Sequence, residues 1–141
     1  MNLFYMLLAI LAGIFTTIES GINAQLSKYI TPSMATLHSL FVGMSFILLI
    51  NLVNGKLSYY NRITTVKPIW LIGGLFGASI IYLSSKAIPE LGITSTIILI
   101  LSGQLLSGLV IDALANDVEL SIRKLAGLIM FLIGAIIYLK D

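Results

Sequence analysis

Cysteine is absent from this 141-residue chain, which removes disulfides, thiol nucleophiles and thiolate metal sites together. Charge is almost as scarce: Asp, Glu, Lys and Arg make up 10% of the residues, against about 25% in soluble domains. The net charge is only +2, and the basic residues are scattered instead of forming a patch, so no nucleic-acid partner is expected. There is one histidine, and no ligand pair stands at four-residue spacing, which argues against a metal site. No nucleophile is grouped with a base, so neither an enzyme nor a cofactor is expected. A cleaved signal peptide is not expected either, because the first apolar run lacks a basic leader and similar runs follow it.

Hydrophobic residues fill 58% of the sequence. A soluble domain of this size buries too small a fraction of its surface to hide them, so lipid is the expected solvent. Leu3–Ile18, Tyr29–Gly55, Pro68–Ser85, Leu91–Ile111 and Leu125–Leu139 contain no Asp, Glu, Lys or Arg. A bilayer-crossing helix needs roughly 17–25 mostly apolar residues. The last run is short, but Arg123, Lys124 and Lys140 flank it and can snorkel to the interfaces. The sequence predicts an all-α membrane protein, a single transmembrane domain over 1–141, with helices near 3–27, 33–54, 68–87, 90–114 and 122–139. Pro32, Pro68 and Pro89 each precede an apolar run, where a missing N–H and a fixed φ suit a helix start. The longest connection, Asn54–Lys67, reads as a polar loop. Its Tyr59 and Tyr60, with Trp70, read as interfacial aromatics.

Small residues recur every four positions: Ala9, Gly13, Thr17 and Gly21 in the first helix, Ala35, Ser39 and Gly43 in the second, Gly73 and Gly77 in the third, Gly103 and Ser107 in the fourth. Such stripes let helix backbones approach closely in lipid, either within one subunit or between subunits. With the N-terminus in the cytoplasm, Lys56, Arg62, Lys67, Arg123 and Lys124 fall inside and Lys28, Lys86 and Lys140 outside. That is a weak positive-inside bias. A chain with so little preference can insert both ways, and opposed copies can pair.

Glu19 is the sharpest single residue. A charged side chain at the bilayer centre costs on the order of 3 kcal/mol or more, so it faces a cavity, pairs or takes up a proton. Alternatively, Glu19 lies at the interface with its helix ending soon after it. Thr16, Glu19 and Asn23 share one helical face by spacing. A carboxylate that holds either a proton or a cation suits a coupled exporter, because competition for one site links the two movements. Gln104, mid-run in the fourth helix, needs a hydrogen-bond partner that lipid does not supply. His38 is a helix-contact residue or a proton relay, and Asp112 reads as an interface charge.

The stretch GIFTTIESGINAQL (Gly13 to Leu26) resembles the first helix of the half-length, YdcZ-like branch of the EamA-like drug/metabolite transporter superfamily, through Gly21, Ile22, Asn23, Ala24 and Leu26. Glu19 stands where that branch usually has Gln. Ser39, Phe41 and Gly43 are similar to its second helix, as are Pro68, Trp70, Gly73, Gly74, Gly77, Pro89 and Gly92 to its third. Gly103, Gln104, Leu105 and Asp112 are similar to its fourth helix, and Gly127 and Gly134 to its last. The resemblance implies five transmembrane helices in a bacterial inner membrane, forming half of a small-molecule exporter that pairs antiparallel with a second copy or close paralogue. The expected arrangement is an inverted-repeat, ten-helix dimer working by alternating access. Glu19, Asn23, Gln104, Thr16 and His38 are its candidate substrate or ion residues, and Gly13, Gly21, Gly43, Gly73 and Gly77 its packing residues. The rival readings are a non-transporting membrane scaffold or accessory subunit and a passive channel.

Overall fold

A computed structural model of the chain describes residues 2–115 and 121–140. Residues 1, 116–120 and 141 of the expected domain lie outside the described residues. Five α-helices follow in order: α1 (Leu3–Tyr29), α2 (Pro32–Val53), α3 (Gly73–Leu91), α4 (Ile93–Ala115) and α5 (Ile122–Leu139). Two 3-10 helices, Leu57–Thr65 and Pro68–Leu71, connect α2 to α3. No strand occurs among the described residues. Five spans are long and apolar enough to cross a membrane, the third running from Pro68 through α3. Two compact units result, Met1–Glu90 and Leu91–Asp141.

In the first unit, Asn2 caps α1 by accepting the Phe4 N–H at 3.1 Å. Only Ile30 and Thr31 separate α1 from α2. Thr31 accepts the Met34 N–H at 3.3 Å, and Pro32 takes the first helical position. A link this short makes neighbouring helices an antiparallel hairpin, and α1 and α2 pack together. What they bury is small and polar. The buried residues of this unit are Ser20, Asn23, Ala24, Ala35, Thr36, Ser84, Ser85 and Ile88, while Leu, Ile, Phe and Met side chains lie outside along every helix. This inverted arrangement fits a lipid solvent, in which small residues pack and large ones meet the acyl chains.

Pro89 departs from the sequence expectation. It lies inside α3, not at the start of the next helix, and α3 runs on to Leu91 before Gly92 ends it at φ +80°. A proline within a helix supplies no N–H to the carbonyl four residues earlier, here that of Ser85. The Ser27 hydroxyl of α1 donates to that same carbonyl at 3.3 Å. The helix-internal proline thus frees an acceptor that ties α3 to α1.

The stretch expected as a polar loop also differs, since Leu57–Thr65 winds into a 3-10 helix. The Thr64 and Thr65 hydroxyls donate to carbonyls three residues back, at 3.2 and 2.7 Å, reinforcing the tighter winding. The turn before it is set by Gly55. The Lys56 N–H bonds the Asn51 carbonyl and the Gly55 N–H bonds the Leu52 carbonyl, with Gly55 at φ +64°. That is the Schellman closure of a helix, which needs a residue able to adopt the left-handed conformation. It folds the chain back beside the last turns of α2.

In the second unit, α4 and α5 pack together. The Thr96 N–H and hydroxyl both donate to the Gly92 carbonyl, at 3.2 and 2.8 Å. Ser121 caps α5 by accepting the Lys124 N–H at 3.3 Å.

Candidate functional site

The α1–α2 hairpin holds a chain of polar side chains. The Asn23 amide donates to the Ser39 hydroxyl at 3.2 Å, and that hydroxyl donates to Glu19 Oε1 at 3.1 Å. The amide end is buried, with Asn23 at 3% exposure. Ser39 is half-buried, and the carboxylate end is open. Glu19 and Asn23 are four residues apart, one above the other on the face turned to α2. The Ser39 hydroxyl lies between them. A single hydroxyl both donates to the acid and accepts from the amide, so it orients the carboxylate while leaving Glu19 Oε2 open to a further ligand.

Glu19 opens on a groove of about 410 Å³. Phe15, Ile18, Ile22, Leu26 and Val42 form its apolar wall, with His38, Ser39 and Asn23 beside the acid. No lysine or arginine lines it, so an incoming cation would meet a carboxylate without a resident counter-charge. His38 also lines a neighbouring apolar groove with Leu26, Met34, Leu37 and Phe41. The helix does not end soon after Glu19. Ten more helical residues follow, to Tyr29, or about 15 Å at a 1.5 Å rise. Glu19 therefore sits in the middle third of α1, away from both helix ends.

Of the sequence-predicted site residues, Glu19, Asn23 and His38 come together on one groove. Thr16 does not join them: its hydroxyl donates to its own helix at the Ala12 carbonyl, 2.9 Å away. Gln104 belongs to the second unit, where it lines a cavity of about 260 Å³ with Gly108, Asp112, Lys124 and Leu128. Among the described residues its side-chain amide makes no hydrogen bond, although its backbone carbonyl accepts from Ser107. Ser39 was missed as a site residue. Its place in the small-residue stripe of the second helix points to packing, and only its distance from Glu19 gives it a polar role.

The expected packing glycines are open. A Cβ built at Gly13, Gly43, Gly73, Gly77 or Gly103 would meet nothing within 4 Å, so the close approach these stripes permit is not used at those positions inside the described chain. Gly21 is half-buried.

Comparison with known proteins gives a family match. No curated protein and no solved structure matches the chain. A family model described as "Putative inner membrane exporter, YdcZ" matches residues 4–137, nearly the whole length and all five membrane-capable helices. The chain is a multi-pass inner-membrane protein that belongs to the YdcZ exporter family.

Proposed function

We propose that this protein is one half of a small-molecule exporter, assembled as an antiparallel dimer, in which Glu19 holds a proton or a cation in exchange for substrate. The observation that carries this reading is the Asn23–Ser39–Glu19 chain, set in the middle of α1 and open to a groove. An intramembrane carboxylate is costly enough that its retention calls for a proton, an ion or a substrate group as partner. Ser39 and Asn23 hold the acid at one position, so proton and substrate compete for one site instead of occupying two. That competition couples their movements. His38 stands on the same groove as a second polar contact.

The dimer is supported by three features of the single chain. Five spans are an odd number, so a second copy must be inverted to give the pseudo-symmetric halves on which alternating access depends. The Gly13, Gly73 and Gly77 faces are open, and the Gln104 amide lacks a partner among the described residues. A second copy, or a close paralogue, would cover those faces and offer Gln104 a partner at the shared cleft.

The test is exchange by the purified protein in vesicles under an imposed pH gradient. Wild type moves substrate against the gradient of protons, and Glu19→Gln, of nearly the same shape but unable to ionise, loses coupled exchange while still inserting. Undiminished coupled exchange by Glu19→Gln removes Glu19 from the mechanism. Unsaturable flux in wild type would mark a channel, and no flux at all a scaffold.

A further inference from the structure

A second groove, in the same unit but apart from Glu19, has a different character. It occupies about 650 Å³ between the C-terminal half of α2 and the following 3-10 helix. Gly43, Ile47 and Asn51 line it along one face of α2, and Lys56, Tyr59 and Tyr60 stand at its other end. From Gly43 to Asn51 the face runs about 12 Å along the helix. Its polar end coincides with the end of a membrane-capable span, and its apolar end points along α2 toward the middle of that span. The Gly55 closure holds the mouth in place by folding Lys56 back onto Asn51. The Arg62 guanidinium stacks over the Tyr59 ring at 5.0 Å, fixing one side of the opening.

We propose that this groove binds an anionic phospholipid, with the headgroup phosphate at Lys56 and the two tyrosine hydroxyls and an acyl chain along the Gly43–Ile47 face. Charge complementarity selects the occupant. Lys56, Arg62 and Lys67 fall in this connection, and no carboxylate occurs anywhere between Glu19 and Glu90. A basic segment next to a span attracts acidic lipids. A free phosphate would use the cation but leave the apolar wall unfilled, whereas a lipid satisfies both ends. The Asn51 amide gives one N–H to the Ile47 carbonyl at 2.9 Å and carries no charge, so the charge that selects an anionic headgroup comes from Lys56. The open space at Gly43, where a Cβ meets nothing within 4 Å, gives the acyl chain its floor.

The experiment is native mass spectrometry of the purified full-length protein, titrated with phosphatidylglycerol or phosphatidylcholine of matched chains. Wild type should retain phosphatidylglycerol about five-fold more than phosphatidylcholine, as expected for one cation at a membrane surface. Lys56→Gln should bring the two lipids close to parity, and Lys56→Arg should restore the preference, which separates charge from fold. Gly43→Leu, which fills the floor without a clash inside the chain, should lower retention of both lipids. Excess inorganic phosphate should leave the bound lipid in place. Equal retention of the two lipids by wild type, a preference that survives Lys56→Gln, unchanged retention in Gly43→Leu, or displacement by inorganic phosphate would each overturn the proposal.

Discussion

The α1–α2 and α4–α5 hairpins use the same kinds of polar residue in different ways. In the first, a hydroxyl and an amide reach across to the neighbouring helix, as Asn23 donates to Ser39 and Ser39 to Glu19. In the second, the hydroxyls of Thr96, Ser102 and Ser107 turn back to the carbonyls four residues earlier in the chain, each at 2.8 Å. A back-bonded hydroxyl is satisfied locally and costs the bilayer nothing, but it fixes no partner. A cross-helix bond sets the register of two helices and can orient a functional group. The comparison teaches that the first hairpin shares polarity between its helices, which fixes their register, whereas the hydroxyls of the second are satisfied locally. Gln104 is the exception, an amide on the cavity beside α5 that neither its own helix nor α5 satisfies among the described residues.

The contrast can be broken most sharply at its acids. Glu19→Gln should abolish proton-coupled exchange in vesicles, whereas Asp112→Asn, at the end of the fourth span, should leave most of it. Loss in the Asp112 variant with retention in the Glu19 variant would move the working site to the α4–α5 hairpin. Next in size is the effect of filling an open glycine face. Gly13→Leu meets no atom within 4 Å inside the chain, so helicity by circular dichroism should be unchanged while crosslinked dimer is lost. A stable dimer in that variant would assign the α1 stripe to lipid contact alone.

A smaller effect is expected at the backbone. Gly55→Val forces a β-branched residue into the left-handed region and should destabilise the α2 terminus by about 1–2 kcal/mol, read as a lower unfolding midpoint in detergent. An unchanged midpoint would mean that the Schellman closure is not retained in solution. The smallest change is Ser39→Ala. Interhelical hydrogen bonds in bilayers are worth about 0.6 kcal/mol on average, so coupled exchange should slow about three-fold. Ser107→Ala, whose hydroxyl only caps its own carbonyls, should leave the rate unaltered. Equal effects of the two variants would erase the distinction between the hairpins.

The spans were legible because a helix surrounded by lipid is apolar on nearly all sides, and runs such as Tyr29–Gly55 need no periodicity to be seen. Pro32 and Pro68 stand at the first positions of their helices. Pro89 was misread because spacing alone does not distinguish a helix start from a last turn whose free carbonyl is bonded from another helix. Glu19 could be found from its rarity in an apolar run, and Asn23 from sharing its face. Thr16 shares that face too, yet a threonine can satisfy itself on its own backbone, so facing is not enough. Ser39 was hidden by its size, since in lipid the same small side chain serves packing and hydrogen bonding.

Pairing of inverted copies is the claim on which the transport cleft depends, and the absence of cysteine makes it directly testable. A single cysteine introduced as Ser58→Cys, in the connection after α2, can be labelled with a membrane-impermeant maleimide in right-side-out and inverted vesicles. Comparable labelling from both faces is the expected result. Labelling confined to one face would show that every copy points the same way and would contradict self-pairing of this chain as an antiparallel dimer.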